Sequence, residues 1–225
     1  FSMEIGFANS IRTYSGGLGI LAGDTLKSLA DIGVDVVGVT LLSEHGYFMQ
    51  SLDESGWQHE EYPAWPVAEK LKKLPLKVSV LIEGRMVTIS VWKYVLRGVR
   101  GKLISLLFLD TNNPENTEDD RKLTSYLYGT GHLYRLRQEI VLGIGGVKVL
   151  RELGFNPRKY HLNEGHAAFL TLELYRELRS LDCEGAACHT EKQSIIRQLC
   201  SFTTHTPVAA GHDEFGVDMV QSQLG

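Results

Sequence analysis

Ser15-Gly16-Gly17-Leu18-Gly19 runs directly into Ile20-Leu21-Ala22-Gly23-Asp24-Thr25-Leu26-Lys27-Ser28-Leu29-Ala30. Three glycines in four positions make a tight turn whose backbone can approach a ligand with no Cβ in the way. The spacing predicts a helix over residues 20–32, starting at or just after Gly19. Its unpaired N–H groups and positive dipole end then face the turn. Such an end accepts phosphate or another oxygen-rich ligand, although glycines in this pattern also serve close packing alone. Residues 34–42 form a nearly continuous β-branched run, as a strand buried on both faces requires. Turn, helix and buried strand together read as part of an α/β unit.

Working outward, 225 residues suffice for a full core, and the formal net charge of −4 with 43% hydrophobic residues is that of an ordinary soluble protein. No lysine or arginine block points to nucleic acid. No apolar run has membrane-spanning length and no signal-like segment opens the chain, so the expected location is the cytoplasm. Cys183, Cys188 and Cys200 are odd in number and clustered, which argues for free thiols in a reducing compartment. Phe1 stands inside an ordered-looking segment and Gly225 ends no element; the chain is therefore expected to be a piece of a longer polypeptide.

The middle of the chain changes character. Residues 76–82 and 86–92 flank Glu83-Gly84-Arg85 and predict a β-hairpin with glycine at a positive φ. Another strand is expected over 103–109. The acidic loop 110–120 reads as solvated surface plus helix N-terminal charge. Ile140, Ile144, Val147 and Leu150 recur at helical spacing within 134–153. Gly143, Gly145 and Gly146 in that helix each cost roughly 1 kcal/mol against alanine, which implies that another backbone packs close. Gly154 is placed to cap it, with Pro157 beyond. A short strand over 159–162, a helix over 165–180, a helix near 191–198 and a buried strand over 199–204 complete the reading.

Two further motifs fall at the C-terminal ends of predicted strands, where open α/β sheets place ligands. In His161-Leu162-Asn163-Glu164-Gly165-His166, Asn163, Glu164 and His166 offer donors and acceptors suited to sugar hydroxyls. Asn163 could instead cap a helix, and His166 could be a core histidine bonded to backbone. In Phe202-Thr203-Thr204-His205-Thr206-Pro207, His205 ends a strand and Pro207 stiffens the chain after it. A structural, hydrogen-bonded histidine is the alternative. Neither His161 with His166 nor Cys183 and Cys188 with His189 has a full ligand set, so no metal is expected. No nucleophile elbow or Walker-type loop is present.

Phe1-Ser2-Met3-Glu4, Tyr14 to Gly19, Gly46-Tyr47-Phe48 with Gln50, Gly56-Trp57-Gln58, Leu136-Arg137-Gln138-Glu139, Asn163 to His166 and Thr204-His205-Thr206 occur in this order. The series resembles the glycogen (α-glucan) phosphorylase family, most closely its short prokaryotic branch, across essentially the whole chain. The resemblance implies an α/β fold: residues 1–225 as the Rossmann-like N-terminal lobe of a two-lobed GT-B glycosyltransferase, with a β-hairpin-rich insertion. It implies that Gly16, Gly17 and Leu18 line a phosphate and glucosyl site through their N–H groups. It further implies that His205, with Thr206 beside it, bonds the reacting glucosyl unit, and that Glu164 and His166 line the same cleft. An acidic residue often found before Leu136 is replaced by Tyr128-Gly129-Thr130-Gly131-His132, so its role does not transfer.

The family uses pyridoxal 5′-phosphate, bound to a lysine of the second lobe. No counterpart of that lysine motif occurs here, so no catalytic residue is assigned and no cofactor is expected on these residues alone. The implied reaction moves the terminal α-1,4-linked glucosyl unit of a glucan to phosphate, giving glucose 1-phosphate. The expected partners are glucan, phosphate and the second lobe, with a homo-oligomer allowed. A starch or glycogen synthase shares a Gly-Gly-Leu-Gly loop, usually after a lysine, where this chain has Tyr14-Ser15. A non-catalytic glucan-binding module is the rival from another class.

Overall fold

The computed structural model describes residues 1–178, 185–208 and 212–225. Helix α1 (Gly17–Asp31) leads into β1 (Val37–Leu41), and β2 (Met49–Leu52) pairs with β3 (Gln58–Glu61) as an exposed ribbon. After α2 (Val67–Lys70) come β4 (Lys72–Ile82), β5 (Arg85–Arg97) and β6 (Leu103–Asp110). The main sheet has the order β1-β6-β5-β4, parallel at β1–β6 and antiparallel elsewhere. Short α3 (Glu118–Arg121) precedes α4 (His132–Ile140), a π-helical turn over Val141–Gly145, and α5 (Gly146–Glu152). The chain continues through β7 (Tyr160–Asn163), a 3₁₀ turn at Gly165–Ala167, α6 (Leu170–Glu177), α7 (Ala186–Leu199), β8 (Cys200–Thr203) and α8 (Val217–Leu224).

Alternation along β6 explains the layering. Ile104, Leu106 and Phe108 turn to one face and meet Leu26 and Ala30 of α1. Leu107 and Leu109 turn to the other and meet Ile140, Val141, Val147 and Leu150 of the long broken helix. A sheet with apolar side chains on both faces and helices on both sides is an α/β sandwich. The N-terminal segment sews a second, parallel pair, β7–β8, onto this sheet: Ser2 N–H donates to Val39 O at 3.1 Å, and Asn163 N–H donates to Phe1 O at 3.0 Å.

Most expectations from the sequence hold, and the departures are local. The hairpin turn is Glu83-Gly84, both at positive φ, so Arg85 already belongs to β5. At Gly143 an added Cβ would lie 2.6 Å from the Leu170 backbone nitrogen, the close approach that the glycine-rich helix implied. Gly154, at φ +76, ends α5 as expected. The acidic loop is a correction: Asp120 is buried and bound by two Arg85 nitrogens at 2.8 Å each. The buried strand before His205 is another: among the described residues β8 pairs only with β7, and Phe202 is 58% exposed. Cys200 is a free thiol, but Cys188 is disulfide-bonded, against the expectation of free cysteines throughout. Cys183 lies outside the described residues.

Candidate functional site

The glycine turn divides into two kinds of glycine. Gly19 and Gly23 are packing residues: a Cβ on Gly19 would stand 2.6 Å from Tyr14 Cβ, and one on Gly23 only 2.1 Å from the Gly6 carbonyl oxygen. Gly16 and Gly17 face open space, with nothing within 4 Å of an added Cβ. Neither has a positive φ; Gly16 is extended at −160° and α1 starts at Gly17. Their requirement for glycine is thus one of room, not of backbone conformation.

Glu4 occupies part of the anion-accepting end that the sequence suggested. This buried carboxylate accepts the Ser15 N–H at 2.7 Å, the Gly16 N–H at 3.3 Å and the Ser15 hydroxyl at 3.1 Å. It also accepts the Tyr128 hydroxyl. The Gly16 amide, which the sequence offered to a ligand, thus already has an acceptor in a side chain of the same protein. Among the described residues the Gly17 and Leu18 N–H groups meet no acceptor, and they point from the positive end of α1.

The β7 corner forms the other half. Glu164 is fully buried at φ +65, and its Oε1 accepts the His205 N–H at 2.5 Å and the Thr206 N–H at 3.0 Å. Burial works to raise this carboxyl, but the His205 and Thr206 amides together with the Thr204 and Thr206 hydroxyls outweigh it and hold the group below its usual range. His205 is exposed, and its Nε2 lies 2.7 Å from Asn163 Oδ1. The brace on His205 is thus Glu164 and Asn163, where the sequence suggested Pro207. His166 is buried, so its imidazolium is disfavoured and its pKa falls. Its Nδ1 has no partner among the described residues, and its Nε2 lies 3.9 Å from Asp213. The backbone-satisfied histidine of the alternative reading is therefore not what forms.

Tyr128 links the two halves. Its ring lies 5.7 Å from the His166 ring and carries the Arg135 guanidinium 4.5 Å above it. Arg135 bonds Asp213, which faces Glu139 across the corner. Burial, then the hydrogen bond to Asp213 and its charge, push Glu139 up to about 8, so near neutral pH it is a carboxylic acid able to donate to Asp213. In the sequence Glu4 and Glu139 stand out only as parts of motifs and Tyr128 only as part of the loop before Leu136, while Arg135 and Asp213 do not stand out. A charged residue inside an otherwise buried helix face, as at Arg135 and Glu139, was the available signal. A cavity of about 740 Å³ lies to one side, between α1 and β7; it touches His205 and Asn163 but not Gly16, Gly17, Leu18, Glu164 or His166. Among the described residues no His, Cys, Asp and Glu cluster suits a metal, and no helix is long and apolar enough to cross a membrane.

No protein-family profile matches the chain. Curated proteins do. The chain is 40% identical over 229 residues to the maltodextrin phosphorylase of Thermococcus litoralis, a match covering 99% of this chain and 26% of that protein. It is 42% identical over 236 residues to the glycogen phosphorylase of Mycobacterium tuberculosis (98% and 26%). It is 34% identical over 231 residues to that of Aquifex aeolicus (99% and 32%). The chain thus spans about a quarter to a third of the length of these relatives.

Proposed function

We propose, from the chain's place in the glycogen and maltodextrin phosphorylase family, that residues 1–225 form the N-terminal lobe of an α-glucan phosphorylase of GT-B architecture. The whole protein transfers the terminal α-1,4-linked glucosyl unit of a glucan to inorganic phosphate and releases glucose 1-phosphate. Supporting this is one juxtaposition. Two amides at the start of α1, Gly17 and Leu18, which meet no acceptor among the described residues, and the His205 corner braced by Glu164 are joined through Glu4, Tyr128 and His166.

In this reading His205 and Thr206 hold the glucosyl unit, Glu164 fixes their backbone, and Gly17 and Leu18 present N–H groups to anionic or hydroxyl oxygens. Glu4, Glu164 and Asp213 against Arg135 make the corner net negative, which suits the donor hydroxyls of a sugar. Countercharge for phosphate then comes from the second lobe. Pyridoxal 5′-phosphate, implied by the family, needs a lysine amine for its Schiff base, and the side chains gathered here do not fit it, since they include no lysine. Its anchor belongs, in this proposal, to the second lobe.

The test is His205→Ala in the full-length protein. Loss of a hydrogen bond that strengthens in the transition state should lower kcat and kcat/KM together by about 30- to 1000-fold. The ring is exposed and Asn163 is its one side-chain partner among the described residues, so the melting temperature should barely move. A lowered melting temperature with normal kinetics would remove His205 from the site.

A further inference from the structure

We propose that Tyr128 and Arg135 are positioning residues that lock the glycine turn to the His205 corner, through the chain of contacts Ser15 and Gly16, Glu4, Tyr128, Arg135, Asp213. The inference rests on the phosphorylase reading for its kinetic consequence but not for its geometry. The turn and the corner belong to segments nearly 200 residues apart.

Each link is specific. The Glu4 carboxylate is buried and takes donors on both oxygens, two amides and a hydroxyl from Ser15 and Gly16 and the phenol of Tyr128. With donors on both of its oxygens, this side chain sets where the start of α1 lies. Tyr128 itself sits at φ +55, a conformation that a bulky residue keeps only when its surroundings impose it. The next residue has no slack either, because a Cβ on Gly129 would lie 1.9 Å from the Tyr134 ring. The Arg135 guanidinium stacks on the Tyr128 ring and donates to Asp213, and its side chain is only 12% exposed. Its Nη1 is buried with no partner among the described residues, so the guanidinium is held in place by the ring and by Asp213. Asp213 then faces His166, whose ring packs beside Tyr128, and Glu164 of the same corner grips His205 and Thr206.

A run of contacts amounts to coupling only if a perturbation at one end is read at the other. Asp213→Asn, made in the full-length protein, weakens the Arg135 end while keeping the shape. Backbone hydrogen exchange should then speed up by about fivefold at Ser15 and Gly16, at the far end of the chain. Tyr128→Phe keeps the ring and its stacking but removes the hydroxyl bond to a charged acceptor. It should lower kcat about tenfold or more with a smaller change in the glucan KM. The double variant should lose less than the product of the two single losses. Exchange at Ser15 and Gly16 left unchanged by Asp213→Asn would overturn the proposal, as would Tyr128→Phe with wild-type kinetics or strictly multiplicative losses. If the wild-type protein does not phosphorolyse glucan, the functional reading fails, and the exchange experiment still decides the coupling.

Discussion

Replacing Gly17, Gly19 and Gly23 one at a time by alanine separates room kept for a ligand from room already filled by the protein. At Gly17 the new methyl meets nothing within 4 Å, and the residue opens α1 without a positive φ. Stability should therefore stay level or rise by up to about 1 kcal/mol, the helix preference of alanine over glycine. At Gly19 the methyl would stand 2.6 Å from Tyr14 Cβ and 2.9 Å from a Glu4 carboxylate oxygen. Moving those groups disturbs the bonds that hold the turn, a cost of about 1–3 kcal/mol. At Gly23 the obstacle is the Gly6 carbonyl oxygen at 2.1 Å, a backbone atom that cannot swing aside. That substitution should cost at least about 3 kcal/mol. For a unit of this size each kcal/mol moves the melting temperature by about 2–4 °C. The expected order of melting temperatures is thus Gly17→Ala at or above wild type, then Gly19→Ala, then Gly23→Ala. In the full-length protein Gly17→Ala should nevertheless lower kcat/KM for phosphorolysis by about tenfold or more, because its methyl stands beside the free amides. A Gly17→Ala protein that is destabilised like Gly19→Ala, or one with unchanged kinetics, would refute the division.

The remaining expectations concern pH. The Arg85 hydrogen bonds hold the buried Asp120 carboxyl below its usual range, so its stabilisation is present above the unfolded carboxyl pKa and is lost as pH falls through the lower folded value. Asp120→Asn should remove that part of the acid sensitivity in urea titrations at stepped pH, while Arg85→Ala, which strands the buried carboxylate, should cost about 3 kcal/mol at neutral pH. Glu139 behaves in the opposite sense. With its folded pKa pushed up to about 8 from 4.5, the native state holds a proton that the unfolded chain has released, and stability falls as pH rises between those values. Glu139→Gln should flatten that slope, which cannot exceed about 1.4 kcal/mol per pH unit; an unaltered slope would place the titration elsewhere.

The sequence by itself determined the elements whose signal is local. Helix α1, strand β1 and the Glu83-Gly84 hairpin follow from periodicity, from runs of β-branched residues and from turn chemistry within a few neighbours. The approach of another backbone to Gly143 was legible too, because glycines in a helix interior are unfavourable unless something needs their space. Family motifs supplied Glu164, His166 and His205 as candidates. Only the tertiary structure decided which glycines are filled and which are open, since Gly17 and Gly19 differ by what segments 4–6 and 14 bring beside them. Only it showed that Glu4 takes the Gly16 amide, that Asp120 is buried against Arg85, and that His205 ends an edge strand. The roles of Tyr128, Arg135 and Asp213 were hidden for the same physical reason. Their hydrogen bonds, Tyr128 to Glu4 and Arg135 to Asp213, close over 124 and 78 residues of chain, and no local pattern in a sequence records what a folded backbone places within hydrogen-bonding reach.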